Sequence, residues 1–278
     1  MTHTFSFELK PGLEEDQVWS DNVLPLLVDL PANVVDIWQF CVTEMVNNVI
    51  DHSDGCRLSV KVARKHQTVE VAVLDDGVGI FRKIQEALNL ADERQAILEL
   101  SKGKLTTDPE RHSGQGIFFT SRVLEEFVIL SGGAFFFHRA DRGHDLITES
   151  AAPETGTMIG MRLNNDTDRT LKDVFDQYSS GENYDFSKTV LPLRLAKFAE
   201  HELLISRSQA KRVVSRIELF KTVVFDFSDI ETIGQGFADE IFRVWAKNHL
   251  DVDCVVIAAN AAVRQMIALI SPAPNVRY

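Results

Sequence analysis

The sequence predicts a two-domain protein of the α/β (α+β) class. Apolar residues with helical spacing over 37–50 predict a core-packed helix, and the alternating run that follows at 69–74 predicts a strand covered on at least one side. From about residue 186 onward, short apolar runs alternate with helical patterns, which predicts a small βα sheet with right-handed crossovers. With 278 residues, 45% of them hydrophobic, both domains can bury a core.

Composition narrows the classes of function. The formal net charge of −12 argues against general nucleic-acid binding. There is no run of eighteen apolar residues and no signal-peptide pattern, so we expect no membrane association. The odd set of Cys41, Cys56 and Cys254 does not form a disulfide framework, and a reducing cytoplasm is the simplest location.

The helix predicted over 37–50 carries two polar residues suited to phosphate chemistry. Glu44 and Asn48 are four residues apart and therefore share one face. An amide oxygen can ligate Mg²⁺ while the metal keeps water and phosphate oxygens, and a carboxylate can take a proton from an attacking water. The alternative interpretation is a polar stripe that faces solvent.

The strand predicted at 69–74 ends in acids and glycines. A carboxylate at the mouth of such a strand can accept a hydrogen bond from an exocyclic amine such as that of adenine. Gly77 and Gly79 allow the backbone to turn and approach a ligand closely. The alternative is an ordinary strand-to-helix turn.

A charged segment at 81–113 precedes a second glycine motif at 114–117. The segment contains one helical stretch at 92–100 and is typical of a mobile lid over a ligand. The glycine motif leads into a helix expected over 118–127, whose N-terminus offers N–H groups to a phosphate, although such turns are common. Candidate lid contacts to phosphate, which spacing does not rank, are Thr106, Thr107, Arg111 and His112.

In this order, with a Gly-Thr pair at 156–157, the motifs resemble the GHKL ATPase superfamily. That superfamily includes sensor histidine kinase catalytic domains, gyrase-type ATPases and anti-sigma-factor serine kinases, and the last look closest. The resemblance spans roughly residues 5–165 and implies a Bergerat-type α/β sandwich with a mixed sheet. It also implies ATP and Mg²⁺ as ligands. The resembled kinases are often dimers, so a homodimer is one expected assembly, beside an outside protein partner.

The resemblance implies a role for each matching residue. Glu44 would be the general base and Asn48 the Mg²⁺ ligand. Asp75 would bind adenine, and Thr157 would help to bind the water between that carboxylate and the base. The remaining residues implied to line the nucleotide site are Gly77, Gly79, Ile80, Gly114, Gln115, Gly116 and Ile117.

Polar residues cluster at 164–170 and 179–185 and predict a linker. The expected domains are therefore an ATP-binding domain at 1–165, a linker at 166–185 and an α/β domain at 186–278. Residues 223–241 resemble STAS-like domains, relatives of anti-sigma-factor antagonists. Those antagonists carry a phosphorylated serine in the loop that here reads Ile-Gly-Gln-Gly at 233–236, so we expect no phosphorylation switch there. The loop is either a contact surface or part of a purely structural domain.

A basic strip recurs along the helix predicted from Ser206: Arg207, Lys211, Arg212 and Arg216. Its preferred interpretation is a solvated face, and the alternative is a surface for an acidic partner or for the ATP-binding domain.

The sequence thus predicts a cytoplasmic regulatory protein that binds Mg-ATP and switches a fused STAS-like domain or a partner. Retention of Glu44 leaves open an active serine/threonine protein kinase or an ATPase. A third hypothesis is a scaffold that binds nucleotide without turnover.

Overall fold

The computed structural model describes residues 1–106, 114–140, 144–149, 155–180, 185–197 and 202–278. It divides the chain into two compact units, neither of which is one continuous segment. The N-terminal unit comprises Met1–Ile97 and Leu105–Phe175, and the C-terminal unit comprises Leu98–Lys104 and Asp176–Tyr278. The linker at 166–185 stays a prediction, and helix α6 (Leu171–Tyr178) lies within that range.

A seven-stranded sheet in the order β1-β2-β3-β7-β4-β5-β6 forms the frame of the N-terminal unit. The prediction of a mixed sheet is wrong, because every neighbouring pair runs antiparallel. The pairs β1–β2 and β3–β7 are joined by long connections, which permit either strand direction. The strands are β1 (Thr2–Glu8), β2 (Arg57–Arg64), β3 (Thr68–Asp75), β4 (Glu126–Ser131), β5 (Ala134–Arg139), β6 (His144–Glu149) and β7 (Thr157–Asn164).

Helix α2 packs on one face of this sheet. The helix contacts β2 and β3, and it buries Ile37, Trp38 and Met45. The predicted helix at 37–50 and the alternation of β3 are therefore confirmed. The α-helices that begin in this unit are α1 (Glu15–Val18), α2 (Ala32–His52), α3 (Ile80–Leu88), α4 (Glu93–Lys102), α5 (Gly116–Val123) and α6 (Leu171–Tyr178).

The helix predicted over 118–127 ends earlier than its sequence pattern indicates. Helix α5 stops at Val123, and Glu126 and Phe127 already belong to β4. There Glu126 pairs in register with Arg162 of β7, and the Arg162 guanidinium donates to the Glu126 carboxylate at 3.0 Å. Phe127 is fully buried. Pairing across the sheet thus outweighs local helix propensity.

The C-terminal unit contains a parallel sheet in the order β10-β11-β12-β13, with helices between its strands. This confirms the predicted βα alternation. A short π-helical segment (Glu240–Trp245) joins α8 to α9. The elements are β8 (Ser179–Ser180), β9 (Asp185–Phe186), β10 (Lys188–Pro192), α7 (Arg207–Val214), β11 (Thr222–Asp226), α8 (Gln235–Asp239), α9 (Ala246–Asn248), β12 (Asp253–Ile257), α10 (Ala261–Leu269) and β13 (Val276–Arg277).

Two helix starts in this unit follow local capping rules. The Ser206 side chain accepts from the Gln209 N–H, and the Gln209 side chain in turn accepts from the Ser206 N–H, which forms a capping box for α7. The Asn260 side chain accepts from the Val263 N–H at 2.9 Å and thereby caps the N-terminus of α10.

The three cysteines are free thiols: Cys41 and Cys254 are buried, and Cys56 is exposed. Burial raises the pKa of Cys254 to about 12, which keeps that sulfur protonated at neutral pH. In the part of the chain that the structure describes, no helix has both the length and the apolar character needed to cross a membrane.

Candidate functional site

Helix α2 brings the first predicted motif against the second glycine motif. Glu44 is half-buried on α2, and its carboxylate lies against Gly116, the first residue of α5. A Cβ atom built at Gly116 would lie only 1.9 Å from Glu44 Oε2. Only glycine therefore lets the start of α5 approach this carboxylate so closely.

Asn48 lies one turn further along α2 and has an unsatisfied polar atom. Its Nδ2 is buried and has no hydrogen-bond partner among the described residues. A buried amide group without a hydrogen-bond partner lowers the stability of the fold by about 1–3 kcal/mol, so each such group needs an explanation. A bound ligand that contacts the amide is one explanation. A half-turn of the amide exchanges its nitrogen and oxygen, so the same position suits an oxygen ligand to a metal.

The protein contributes few metal ligands at this position. Among the residues the structure describes, no group of three or more histidine, cysteine or acidic side chains could hold a metal ion. A Mg²⁺ ion at Asn48 would therefore take its other ligands from water and phosphate, which is how Mg²⁺ is commonly bound.

Asp75 ends β3 opposite Thr157, its register partner on β7. Its carboxylate accepts from the Gly77 N–H at 2.9 Å and also receives hydrogen bonds from Thr157. Burial raises the pKa of Asp75, and the hydrogen bonds from Gly77 and Thr157 oppose that rise. The arrangement holds a partly buried carboxylate in a fixed orientation as a hydrogen-bond acceptor.

The turn after β3 packs against the end of α2. A Cβ atom at Gly77 would lie 1.9 Å from the carbonyl oxygen of Ser53, the C-cap of α2. That same oxygen accepts from the Val78 N–H at 3.0 Å. Gly79 has φ +93°, in the left-handed region that favours glycine. The predicted need for glycine at 77 and 79 thus has a specific cause at each position.

The Gly-Thr pair joins the same cluster. The Gly156 N–H donates to the Gly77 oxygen at 2.7 Å, and the Ile80 N–H donates to Thr157 Oγ1 at 3.0 Å. Ile80 begins α3, so Thr157 ties the start of that helix to the start of β7. The structure therefore connects the Asp75 turn with the Gly-Thr pair through backbone and hydroxyl bonds.

The glycine motif at 114–117 forms the entry to α5, as predicted. Gly114 has φ +66°, and its oxygen accepts from the Leu105 N–H at 3.2 Å. Gln115 is the N-cap of α5 without a side-chain capping bond, and Ile117 is half-buried in the first turn. The first N–H groups of a helix have no acceptor within that helix, and such groups can bind anions.

The stretch predicted as a lid is described in part. The helical stretch expected at 92–100 is confirmed as α4, and the Asp92 carboxylate accepts from the Gln95 N–H at 2.9 Å near its start. Of the candidate lid residues, Thr106 is described, whereas Thr107, Arg111 and His112 lie outside the described residues.

Ser131 is a member of this cluster that sequence reasoning missed. It is the last residue of β4, it is buried, and its hydroxyl donates to the Gly156 oxygen at 2.9 Å. A Cβ atom at Gly79 would lie 2.7 Å from its Oγ. The sequence signal that could have identified Ser131 is its position at the end of an apolar strand, directly before Gly132 and Gly133.

Comparison with known proteins gives a match for the C-terminal part of the chain. Residues 209–264 match the family model of a STAS-like domain of unknown function (DUF4325). The C-terminal unit contains a STAS-like domain. The predicted resemblance at 223–241 is thereby confirmed.

No curated protein matches the chain. Among solved structures, the topoisomerase IV ATP-binding domain of Francisella tularensis, in complex with a small-molecule inhibitor, matches with a TM-score of 0.28 and 15% sequence identity. The match covers 63% of this chain and 47% of that one, so the chain spans about half the length of that structure. The site described above rests on its own contacts.

The loop at 233–236 of the STAS-like domain is closely packed. Ile233 forms a parallel bridge with Leu204, and a Cβ atom at Gly234 would lie 2.7 Å from Ile205 Cα. Two hydroxyl residues, Ser228 and Thr232, precede the loop, and the Ser228 hydroxyl donates to Asp226 Oδ1 at 2.7 Å. The loop itself offers backbone rather than a phosphorylatable side chain.

The basic strip does not behave as one solvated face. The Arg207 side chain is 54% exposed and pairs with Asp239 and Glu240. The Arg216 side chain is only 22% exposed and pairs with Glu99, so the solvated interpretation is wrong for this residue. Its conformation is the reason: Arg216 has φ +62° after α7 has ended, and it does not continue the helical face.

Proposed function

We propose that the N-terminal unit binds Mg-ATP and that the chain is a nucleotide-dependent regulatory switch acting on its STAS-like domain or on a protein partner. One observation carries the proposal. Contacts between Glu44 and Gly116, Ser53 and Gly77, and Gly77 and Gly156 link all the motifs around the second half of α2. Four motifs that are scattered over more than a hundred residues thus form one connected cluster.

The chemistry of the cluster fits a nucleotide. The Asp75 carboxylate supplies a fixed acceptor for the adenine amine, with Thr157 beside it. The start of α5 supplies N–H groups for phosphate, and Asn48 supplies a buried amide for a metal. Bound Mg²⁺ would neutralise phosphate charge. The protein's part is to select the base and to position the phosphates.

The test of binding is a calorimetric titration of ATP with and without Mg²⁺. Asp75→Asn should weaken ATP binding at least tenfold, because it presents an amide where the carboxylate accepts the adenine amine. Asp76→Asn is the matched control: this adjacent side chain accepts from the Cys56 and Arg57 N–H groups and is exposed to solvent. Absence of ATP binding by the wild type, or equal loss in both variants, would refute the proposal.

The metal assignment has its own variant. Asn48→Ala should remove the enhancement of ATP affinity by Mg²⁺ and leave metal-free binding in place. The Asn47 side chain, its neighbour on α2, serves as the comparison through Asn47→Ala. An unchanged Mg²⁺ dependence in Asn48→Ala would reject the role of this amide.

A second candidate function is turnover, as a serine/threonine protein kinase or an ATPase. It is favoured by the Glu44 carboxylate, which lies against the first residue of α5. There the carboxylate could take a proton from the group that accepts the phosphoryl. Incubation with γ-labelled ATP separates the outcomes: label on free phosphate means an ATPase, and label on protein means a kinase. Glu44→Gln should abolish either signal while leaving ATP affinity largely intact. Label that stays on ATP, with or without a partner, leaves the switch or a scaffold.

A further inference from the structure

The segment Leu98–Lys104 lies between the two glycine motifs in sequence but belongs to the C-terminal unit. It holds the last five residues of α4, whose first residues belong to the N-terminal unit. Glu99 and Lys102 are completely buried in it, at 0% and 1% exposure. Two charges that are normally solvated are thus part of an interior.

A buried ion cluster fixes this segment within the C-terminal unit. The Lys102 ammonium donates to Glu99 Oε1 at 2.6 Å and to the carbonyls of Arg212 and Ser215, at 3.0 and 2.8 Å, where α7 ends. All three of its N–H donors are therefore used. The Thr189 hydroxyl of β10 donates to the Lys102 carbonyl at 2.7 Å. The segment is held by α7 and β10 together.

Arg216 completes the cluster from a left-handed backbone conformation. Its guanidinium donates to Glu99 Oε2 at 3.2 Å and to the Lys104 carbonyl at 2.6 Å. A non-glycine residue at φ +62° is uncommon and persists where its surroundings require it. Here the requirement is the placement of a fork-shaped donor on two acceptors of one segment.

The residue after Lys104 belongs to the glycine motif's own surroundings. The Leu105 N–H donates to the Gly114 oxygen, and a Cβ atom at Gly114 would lie 2.6 Å from the Leu105 backbone. One peptide bond therefore separates the carbonyl held by Arg216 from the residue that packs on Gly114. A backbone displacement at Gly114 can therefore reach the Arg216 contact through this one peptide group.

We propose that Leu98–Lys104 couples the nucleotide site to the STAS-like domain, with Arg216 as the positioning residue of the coupling. This inference rests on the proposed function, because it assigns a regulation to the same site. Binding of nucleotide at the start of α5 stabilises one backbone arrangement around Gly114 and Leu105. Through Lys104 it stabilises the packed state of α7 and β10. Linkage makes the effect reciprocal, with a typical coupling of about 5- to 150-fold.

The alternative is that the segment only fills space in the C-terminal unit. In that case substitutions that destabilise this unit would weaken nucleotide binding to the same extent whether or not they touch the segment, or none of them would weaken it. Arg207 is the matched control, since it is an ion-paired arginine at the start of α7 whose partners, Asp239 and Glu240, lie outside the segment. A specific effect of Arg216 over Arg207 separates coupling from general destabilisation.

The test is hydrogen exchange of the full chain with Mg²⁺ and a non-hydrolysable ATP analogue, together with calorimetric titration of that analogue. In the wild type, the analogue should slow exchange at least fivefold in β10 and α7. Arg216→Met should abolish this slowing and weaken analogue binding by a similar factor. Arg216→Lys should restore part of both, and Arg207→Met should behave as the wild type.

Three results would overturn the coupling. One is analogue binding without any change of exchange in β10 and α7, which leaves the proposed function standing. Another is equal weakening of analogue binding by Arg207→Met and Arg216→Met. Absence of binding by the wild type would overturn both this inference and the proposed function. If Arg216→Met does not fold, the wild-type measurement and Thr189→Val, which removes only the bond to the Lys102 carbonyl, decide the question.

Discussion

Substitution of Gly77 by alanine tests whether the turn after β3 is packed directly on the end of α2. The added Cβ would meet the Ser53 carbonyl, at 1.9 Å from its oxygen and 2.7 Å from its carbon. Both atoms are backbone, so no side-chain rotation can relieve the clash. The turn and the helix end would have to separate by about 1 Å or more to restore an ordinary contact.

The cost follows from what that separation breaks. The bond from Val78 N–H to the Ser53 oxygen and the bond from Gly156 N–H to the Gly77 oxygen both lie at the displaced turn. Each contributes about 0.5–1.5 kcal/mol, and overpacking adds about 1–3 kcal/mol. We expect a loss of about 3 kcal/mol, which lowers the Tm of a unit of this size by roughly 10 °C.

Gly160→Ala supplies a control of opposite sign. Gly160 lies in β7 of the same unit, and its added Cβ would meet only Val128 Cβ at 3.6 Å, an ordinary contact. Removal of a strand glycine should raise stability by about 0.5–1 kcal/mol. Thermal unfolding of both variants, followed by circular dichroism, measures the difference. Equal Tm values for the two variants would show that the turn does not pack on α2 as described.

Three further predictions address charge and the approach of α5. Burial raises the pKa of Asp75, and the protonated carboxyl no longer accepts the hydrogen bond from adenine. ATP affinity measured by calorimetry should therefore be constant near neutral pH and fall as the pH drops through that raised pKa. A flat profile would contradict this. If the chain turns ATP over, Gly116→Ala should displace the flexible Glu44 carboxylate by about 1 Å and slow phosphate release about 100-fold at nearly unchanged Tm. Lys102→Met should destabilise the C-terminal unit by about 3 kcal/mol in chemical denaturation, whereas the exposed Lys211→Met should change it by less than about 0.5 kcal/mol.

Periodic and local signals made much of the fold predictable. The apolar stripe of α2 and the alternating valines of β3 follow directly from burial on one face. Asn260 and the capping box at Ser206 are short-range hydrogen-bond patterns that sequence spells out. The candidate site residues stay predictions: each motif alone is also typical of an ordinary turn, and their roles come from motif order and the resemblance it carries.

The missed features depend on contacts between distant residues. Glu99 and Lys102 were assigned to a charged lid, because an isolated charge belongs in water, and only their mutual pairing with Arg216 makes burial tolerable. The end of α5 at Val123 is set by β4 and its partner β7. Strand direction in the first sheet has no local signature, and the mixed sheet was implied by the resemblance alone.

The chain passes between the two units three times, after Ile97, after Lys104 and after Phe175. The unit that contains the STAS-like domain consequently cannot be isolated by truncating the chain at a single boundary. A fragment that starts near residue 186 would lack Glu99 and Lys102 and would leave the Arg216 guanidinium and the carbonyls at the end of α7 without their partners. Expression of this domain alone, or its exchange for another, requires the seven residues of Leu98–Lys104 to be supplied as a graft or a separate peptide.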